Sequence, residues 1–314
     1  MKKWLLLTAG VLATVLVCVY SFIPSTINIS TVASAKATRD GTYRMIASKA
    51  TWKKWWNYNS VQTTNIVSDS TFLNNNYRYN LKEAGFNNAL VSIQHGSKII
   101  NSTISLLQFK TDSIGIIWQC SLQTSANPIE RVKQYFEAVN IKKNLTSILN
   151  RLKTFVENEE NIYGIKISKG KVRDTFLISK KKMFAQEPSM NDVYDMINDL
   201  NKYAYKNNCR PTDAPMLNIL HDSDKYRLMV ALPINKEIKT TPSISFIKMT
   251  NGNFMVTQVR GGQGTVENAL EQMQLYFDDY DKTSMAITFQ YLVTDRIKES
   301  DTTKWITEIY APVL

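Results

Sequence analysis

Apolar positions in the second half of the chain switch repeatedly between the period of a strand and that of a helix. Ser189 to Asn207 predicts one amphipathic helix. A second helix, starting at Thr265 as its N-cap, has the clearest i, i+3, i+4 spacing: Val266, Ala269, Leu270, Met273, Tyr276, Phe277 and Tyr280. The glycines of Gly261-Gly262-Gln263-Gly264 are expected to form a positive-φ turn before it.

The same order of elements occurs twice. The first copy is expected to consist of a strand near 161–178, the helix 189–207, and strands near 215–221 and 226–233. The second copy is expected as a strand near 244–260, the helix from Thr265, and strands near 286–293 and 304–313. Aligning Pro233 with Pro312 places Met229 at the position of Glu308 and Ala231 at that of Tyr310. Residues 160–314 therefore predict one duplicated α+β domain.

The last strand contains a single acid among apolar and aromatic residues. Side chains alternate across a strand, so Ile306, Glu308 and Tyr310 are expected on one face. A buried acid is unfavourable unless it is paired or a cavity admits water or a ligand. Glu308 is therefore a candidate ligand contact; a structural acid bonded to Tyr310 and a general acid/base are the alternatives.

Five segments of this half resemble the GyrI-like (DNA gyrase inhibitor-like) small-molecule-binding domain. They are Tyr163-Gly-Ile-Lys-Ile167, Val230-Ala-Leu-Pro-Ile234, Gly262-Gln-Gly264, Phe289 to Asp295, and Thr307-Glu-Ile-Tyr-Ala-Pro-Val313. The resemblance implies two pseudo-symmetric halves with a ligand cleft between them. It also implies a second acid and tyrosine in the penultimate strand, where an ungapped match gives Gln290 and Leu292.

The candidate ligand-binding residues are therefore Glu308, Tyr310, Tyr163, Trp305 and Gln290, with strand phase deciding which of the aromatic ones point inward. Lipophilic cations are attracted by paired acids and aromatic walls. Since one acid of the pair is missing, the attraction for a cation is halved, and the expected ligand is a small apolar or amphipathic molecule.

The N-terminal segment from Trp4 to Ile23 contains no charged residue and follows Lys2 and Lys3. A helix of that length would span a bilayer, and the positive-inside rule would leave the N-terminus in the cytoplasm. The segment 1–23 is thus expected to be a single-pass anchor in the cytoplasmic membrane, with the rest of the chain facing the periplasm or exterior. A cleaved signal peptide ending near Ala33-Ser34-Ala35 is the alternative.

Residues 24–158 predict a separate domain. Strands are expected near 90–95, 98–108 and 114–122, and Asn127-Pro128-Ile-Glu130 has the residues of a helix start before a long apolar stripe. This layout, together with Thr51-Trp52-Lys-Lys-Trp55-Trp56, resembles the START-related, polyketide cyclase-like (SRPBCC) helix-grip fold. The fold class expected for the whole chain is α+β: a transmembrane helix, an SRPBCC-like domain and, over 159–314, a GyrI-like domain.

The net charge is +11, from 38 basic and 27 acidic residues, and the densest basic segment runs from Lys166 to Lys182. It has no DNA-reading motif, and an outward-facing domain would meet no DNA, so no nucleic-acid partner is expected. His95 and His221 have no metal-ligand spacing, so no metal, cofactor or catalytic residue is assigned. Cys120 and Cys209 fall in different domains and are expected to be free.

The sequence therefore favours a membrane-anchored protein that binds a small apolar molecule, with Glu308 as its polar contact. Two alternatives remain open. One is a hydrolase that uses Glu308 as general acid/base. The other is a lipid-binding module that acts through a cavity in the SRPBCC-like domain.

Overall fold

The computed structural model describes residues 2–58, 66–68, 71–172, 176–222, 224–249, 252–284 and 286–313. The chain divides into two compact units, Met1–Ile162 and Tyr163–Leu314. Both are mixed α+β structures, and each is built around one antiparallel sheet.

The first unit begins with a helix and contains a seven-stranded sheet. Its elements are α1 (Lys2–Phe22), β1 (Thr26–Ala35), α2 (Arg39–Ile46), α3 (Lys49–Trp55), β2 (Ile66–Ser68), β3 (Thr71–Asn74), β4 (Tyr77–Ala84), β5 (Asn88–His95), β6 (Lys98–Lys110), β7 (Ser113–Gln123), α4 (Pro128–Val156) and α5 (Glu159–Tyr163). The strands follow the order β1-β7-β6-β5-β4-β3-β2.

The long helix α4 packs against β1 and β7. Its start is confirmed, because the Asn127 side chain accepts hydrogen bonds from the amides of Ile129 and Glu130, and Pro128 is the first helical residue. Leu145, Ile148 and Leu152 of its apolar stripe are fully buried against the sheet.

A cluster of tryptophans fills the interior between this sheet and its helices. Trp52, Trp55 and Trp56 are each 0% exposed, and the rings of Trp52 and Trp56 are stacked 5.3 Å apart. Their indole N–H groups donate to the carbonyls of Ile46, Met45 and Leu73 respectively, so no indole nitrogen is buried without a partner. These tryptophans therefore belong to the core of the first unit.

The expected membrane anchor is corrected by the structure. Within the described part of the chain, no helix has both the length and the apolar character needed to cross a bilayer. The predicted transmembrane helix, the single-pass placement and the membrane as a partner through residues 4–23 are therefore wrong.

The described residues of the second unit form two α-helices, α6 and α7, a short 3-10 helix (Thr302–Lys304) and an eight-stranded sheet. Its elements are β8 (Ser168–Gly170), β9 (Phe176–Phe184), α6 (Met190–Lys206), β10 (Met216–Asp222), β11 (Lys225–Pro233), β12 (Ser245–Lys248), β13 (Asn253–Arg260), α7 (Gln263–Asp279), β14 (Phe289–Leu292) and β15 (Ile306–Val313). The predicted strands 161–178 and 244–260 are each replaced by two shorter ones. Residues 173–175 and 250–251, within the predicted strands and the basic segment, lie outside the described residues.

The start of α7 differs from the expectation. Gly262 is the N-cap and Thr265 already lies within the helix, so the predicted capping role of Thr265 is wrong. The expected glycine turn is present: Gly261 has φ +145°, and a Cβ there would lie 2.4 Å from the Thr265 hydroxyl oxygen.

The order of strands in the second sheet is pseudo-symmetric. It reads β12-β9-β11-β10-β14-β15-β13-β8. If β9, β10 and β11 are exchanged for β13, β14 and β15, and β12 for β8, the same order is obtained when it is read from the opposite edge of the sheet. The pseudo-two-fold axis therefore passes between β10 and β14. The short strands are exchanged: β8, which precedes the first copy, pairs with β13, and β12, which precedes the second copy, pairs with β9.

The two faces of this sheet differ in what covers them. Val193, Ile197 and Leu200 of α6 pack with Ile178, Leu217, Val230 and Leu292 on the face called here the helix face. The opposite face, called here the cleft face, carries a second apolar cluster that includes Leu177, Met216, Ala231, Phe254 and Tyr310. Since side chains alternate along each strand, the pairing register assigns every strand residue to one of these faces.

We predict that Trp52→Ala destabilises the first unit by about 3–5 kcal/mol, because it removes a fully buried ring and leaves a cavity. Calorimetric unfolding of the full chain measures the effect, with Ile99→Ala, a truncation at a side chain that is 66% exposed, as the control. Similar midpoints for the two variants would contradict a core role for Trp52.

Candidate functional site

Four cleft-face residues in the second copy of the repeat form an aromatic and acidic group. Phe289 is paired with Tyr310 and Tyr291 with Glu308 across β14 and β15. Directly paired residues point to the same side of a sheet. We call Phe289, Tyr291, Glu308 and Tyr310 the second quartet.

The second quartet is tightly packed. The rings of Phe289 and Tyr310 are stacked 5.5 Å apart with planes at 6°, and Tyr291 meets Tyr310 edge-on at 5.0 Å. The Tyr310 hydroxyl donates to Glu308 Oε2 at 3.2 Å. The structure thus brings the predicted residues Glu308 and Tyr310 together, on the cleft face, with the carboxylate held by a phenol.

The matching positions in the first copy are filled by smaller or more flexible side chains. Met216 is paired with Ala231 and Asn218 with Met229 across β10 and β11, and all four lie on the cleft face. We call them the first quartet. The pseudo-symmetry relates Met216 to Phe289, Asn218 to Tyr291, Met229 to Glu308, and Ala231 to Tyr310, as the alignment of Pro233 with Pro312 predicts for the last two pairs.

An apolar cavity of about 530 Å³ lies where the first quartet leaves space. This volume is within the range of small-molecule pockets, roughly 300–1,000 Å³. Its walls include Leu177, Met216, Asn218, Met229, Ala231, Ile247, Met249, Phe254, Ile287, Phe289 and Pro312. No aspartate or glutamate is among the described residues that line it.

Glu308 and Tyr310 are not among the residues that line this cavity. Phe289 belongs to both groups. Across the paired strands Tyr291 lies between Met216 and Glu308, and along β15 Tyr310 lies between Glu308 and Pro312 on the same face. A ligand in the cavity would contact Phe289 and Pro312 directly, whereas the rings of Tyr291 and Tyr310 lie between the cavity-lining residues and Glu308.

The other three candidate residues lie elsewhere. Gln290 points to the helix face, because it is paired with Leu217 and Ile309; its side-chain oxygen is buried and accepts no hydrogen bond among the described residues. The buried Tyr163 donates its hydroxyl to Asp279 at 2.6 Å and packs on Tyr276, both of α7. These contacts assign a structural role to Tyr163.

Trp305 precedes β15 and packs against a buried cation. Its indole N–H donates to the Glu299 carbonyl, and the guanidinium of Arg296 lies 4.9 Å from the centre of its ring. Arg296 also donates to the Thr307 hydroxyl, and burial lowers the pKa of its guanidinium. Trp305 thus helps to position the start of β15 and does not line the cavity.

Metal binding finds no support in the side-chain geometry. Among the described residues, no three His, Cys, Asp or Glu side chains are grouped closely enough to hold an ion. The three cysteines are free, as expected for Cys120 and Cys209.

Comparison with known proteins gave structural similarities alone. No family model and no curated protein matches the chain, so the GyrI-like and SRPBCC resemblances have no family-level support. Solved structures similar to it include an EcmrR–DNA complex, with 15% identity over 60% of this chain and 72% of that one and a TM-score of 0.43. The structure of SAV2435 bound to tetraphenylphosphonium is also similar, with 16% identity over 48% of this chain and 94% of that one and a TM-score of 0.32. A hydrolase from Listeria innocua has 9% identity over 48% of this chain and 92% of that one, with a TM-score of 0.38.

The exclusion of a nucleic-acid partner is also corrected. It depended on an outward-facing chain held by an anchor, and the described residues include no helix that could span a membrane. The sequence therefore does not exclude a nucleic-acid partner for this chain.

We predict that Tyr163→Phe destabilises the second unit by roughly 1.5–3 kcal/mol, the range for a hydrogen bond to a charged group. Thermal unfolding of the full chain measures the loss. Tyr205→Phe, in which the altered side chain is 64% exposed, is the matched control. A stability equal to that of the control would show that the bond to Asp279 contributes nothing.

Proposed function

We propose that the second unit binds a small, largely apolar molecule in the cavity of its cleft face. The observation that supports this most directly is the asymmetry of the two quartets. Bulky aromatic side chains occupy most of the second quartet, whereas the methionines and the alanine of the first quartet border an open space of about 530 Å³. Methionine side chains adapt to the shape of an apolar ligand more readily than branched ones do.

A larger hollow of about 930 Å³ in the first unit is the main competing site. Most of the residues that line it are polar, among them Asn28, Ser30, Asn101, Thr103 and Gln119. The interior of the same unit is filled by the tryptophan cluster. The contrast in lining favours the cavity of the second unit for an apolar ligand over a lipid site in the first.

Glu308 is proposed to act on this site by positioning Tyr310. Its carboxylate accepts the Tyr310 hydroxyl, and Tyr310 is stacked on Phe289, which forms part of the cavity wall. The acid therefore stabilises the orientation of an aromatic wall. A hydrolytic role would require the carboxylate to reach the ligand past that wall, so binding is favoured over catalysis.

We predict that Ala231→Tyr weakens binding of the neutral dye N-phenyl-1-naphthylamine at least tenfold, because the new ring reproduces Tyr310 in the first half and fills the cavity. Fluorescence titration of the full chain measures the dissociation constant. Leu107→Tyr adds the same side chain at an exposed position of the first unit and serves as the control. If Ala231→Tyr unfolds, Ala231→Leu replaces it.

Unchanged dye affinity in a folded Ala231→Tyr variant would refute the proposed site. Dye that binds elsewhere on the chain is present in wild type, variant and control alike. The difference between the variant and the control therefore reports on the cavity.

We also predict that Glu308→Gln changes the dye affinity less than threefold, since the amide oxygen can still accept the Tyr310 hydroxyl. The same fluorescence titration provides the measurement. A loss of tenfold or more would instead indicate that the charge itself contacts the ligand.

A further inference from the structure

The charges around the cavity limit the class of ligand it can hold. Lys248 is the single charged residue among the described residues that line it. Its Cα is paired with Phe176, and its ammonium lies 5.9 Å from the centre of the Phe176 ring. Phe176 packs with the helix-face cluster. The ammonium is thus directed away from the cleft face.

Glu308 lies on the cleft face but is not among the residues that line the cavity; Tyr291 lies between it and Met216, and Tyr310 lies between it and Pro312. A cation or an anion in the cavity would therefore be desolvated without an opposite charge to contact. Burial of an unpaired charge is far more unfavourable than burial of a hydrogen-bonded polar group. The electrostatics favour a neutral ligand.

Asn218 is the one polar side chain that the register directs into the cavity from the first quartet. It lies on the cleft face opposite Met229, is half-buried, and belongs to the cavity lining. Its amide nitrogen donates to the Thr288 carbonyl at 2.8 Å. Because a carbonyl can only accept, this bond fixes which end of the amide is the nitrogen and which is the oxygen.

The Asn218 oxygen is therefore held in one orientation. Among the hydrogen bonds of the described residues it accepts none, so its acceptor capacity remains for a ligand. Asn253 also belongs to the lining, but alternation along β13 turns its side chain to the helix face, since Phe254 lies on the cleft face. One fixed acceptor in a mostly apolar cavity selects for one donor group on the ligand. A ligand without that donor would leave the oxygen desolvated.

We propose that the ligand is a neutral, apolar molecule with a single hydroxyl or N–H donor, which binds the Asn218 oxygen. This deepens the proposed function and rests on it, because both place the ligand in the same cavity. Asn218 in the first quartet is the counterpart of Tyr291 in the second. Tyr291 completes an aromatic cluster, whereas Asn218 determines which ligand the cavity accepts.

The test compares 1-naphthol with naphthalene as competitors of N-phenyl-1-naphthylamine on the full chain. These probes share one apolar ring system and differ in one hydroxyl. We expect 1-naphthol to bind wild type roughly three- to tenfold more tightly than naphthalene, the effect of one neutral hydrogen bond. We expect Asn218→Leu to abolish this preference and to leave the affinity for naphthalene unchanged or higher.

Gln290→Leu is the matched control, since it removes an amide from the same sheet on the opposite face. It should keep the preference for 1-naphthol. Tetraphenylphosphonium and 1-naphthoate, as a cation and an anion, should each compete more weakly than 1-naphthol.

The outcomes separate this inference from the proposed function. Equal affinity of wild type for 1-naphthol and naphthalene would overturn the role of Asn218 and leave the cavity as the binding site. Tighter binding of either charged probe would overturn the neutral-ligand assignment. Failure of both neutral probes to compete with dye at the Ala231-dependent site would overturn the proposed function itself. The wild-type preference needs no variant, so misfolding of Asn218→Leu would not remove the test.

Discussion

The pairing register of the four central strands of the second unit determines which side chains face the cavity. The pairing of β10 with β11 and of β14 with β15 decides which residues share the cleft face, and the two-residue alternation then excludes their neighbours. A slip of one residue in β14 would bring Gln290 and Leu292 to the cleft and turn Phe289 and Tyr291 towards the helices. The aromatic wall, the shielding of Glu308 and the shape of the cavity all depend on this one constraint.

Much of the architecture follows from local sequence patterns. The helical spacing within 189–207 and after Gly264, and the proline that ends each copy, were sufficient to predict both helices, the two strands that follow each helix and the equivalence of Met229 with Glu308. They did not predict the order of strands in the sheet or the short strands β8 and β12. The start of α4 at Asn127-Pro128 could also be predicted, because a cap involves residues adjacent in the chain. Such features need only short-range information.

The assignment of side chains to the site was harder to predict. All four residues of β14 are buried, so no alternation of polar and apolar residues indicates which of them face the cleft. Only the hydrogen-bonded pairing with β15 sets the phase, and it places Tyr291 rather than Gln290 opposite Glu308. Tyr163 contacts Asp279, far away in the chain, so its structural role depends on tertiary packing. The role proposed for Asn218 could not be predicted from the sequence, because only strand pairing places its side chain on the cleft face.

The duplication itself has an evolutionary consequence. In a homodimer of a single-copy domain, any substitution occurs in both halves, so opening a cavity on one side of the two-fold axis would also remove the packing on the other. Once both copies lie in one chain, they can diverge independently. In this chain the second quartet is an aromatic cluster, whereas the first places methionines and an alanine beside the cavity. Two copies in one chain thus allow one half of a sheet to provide packing while the other provides space.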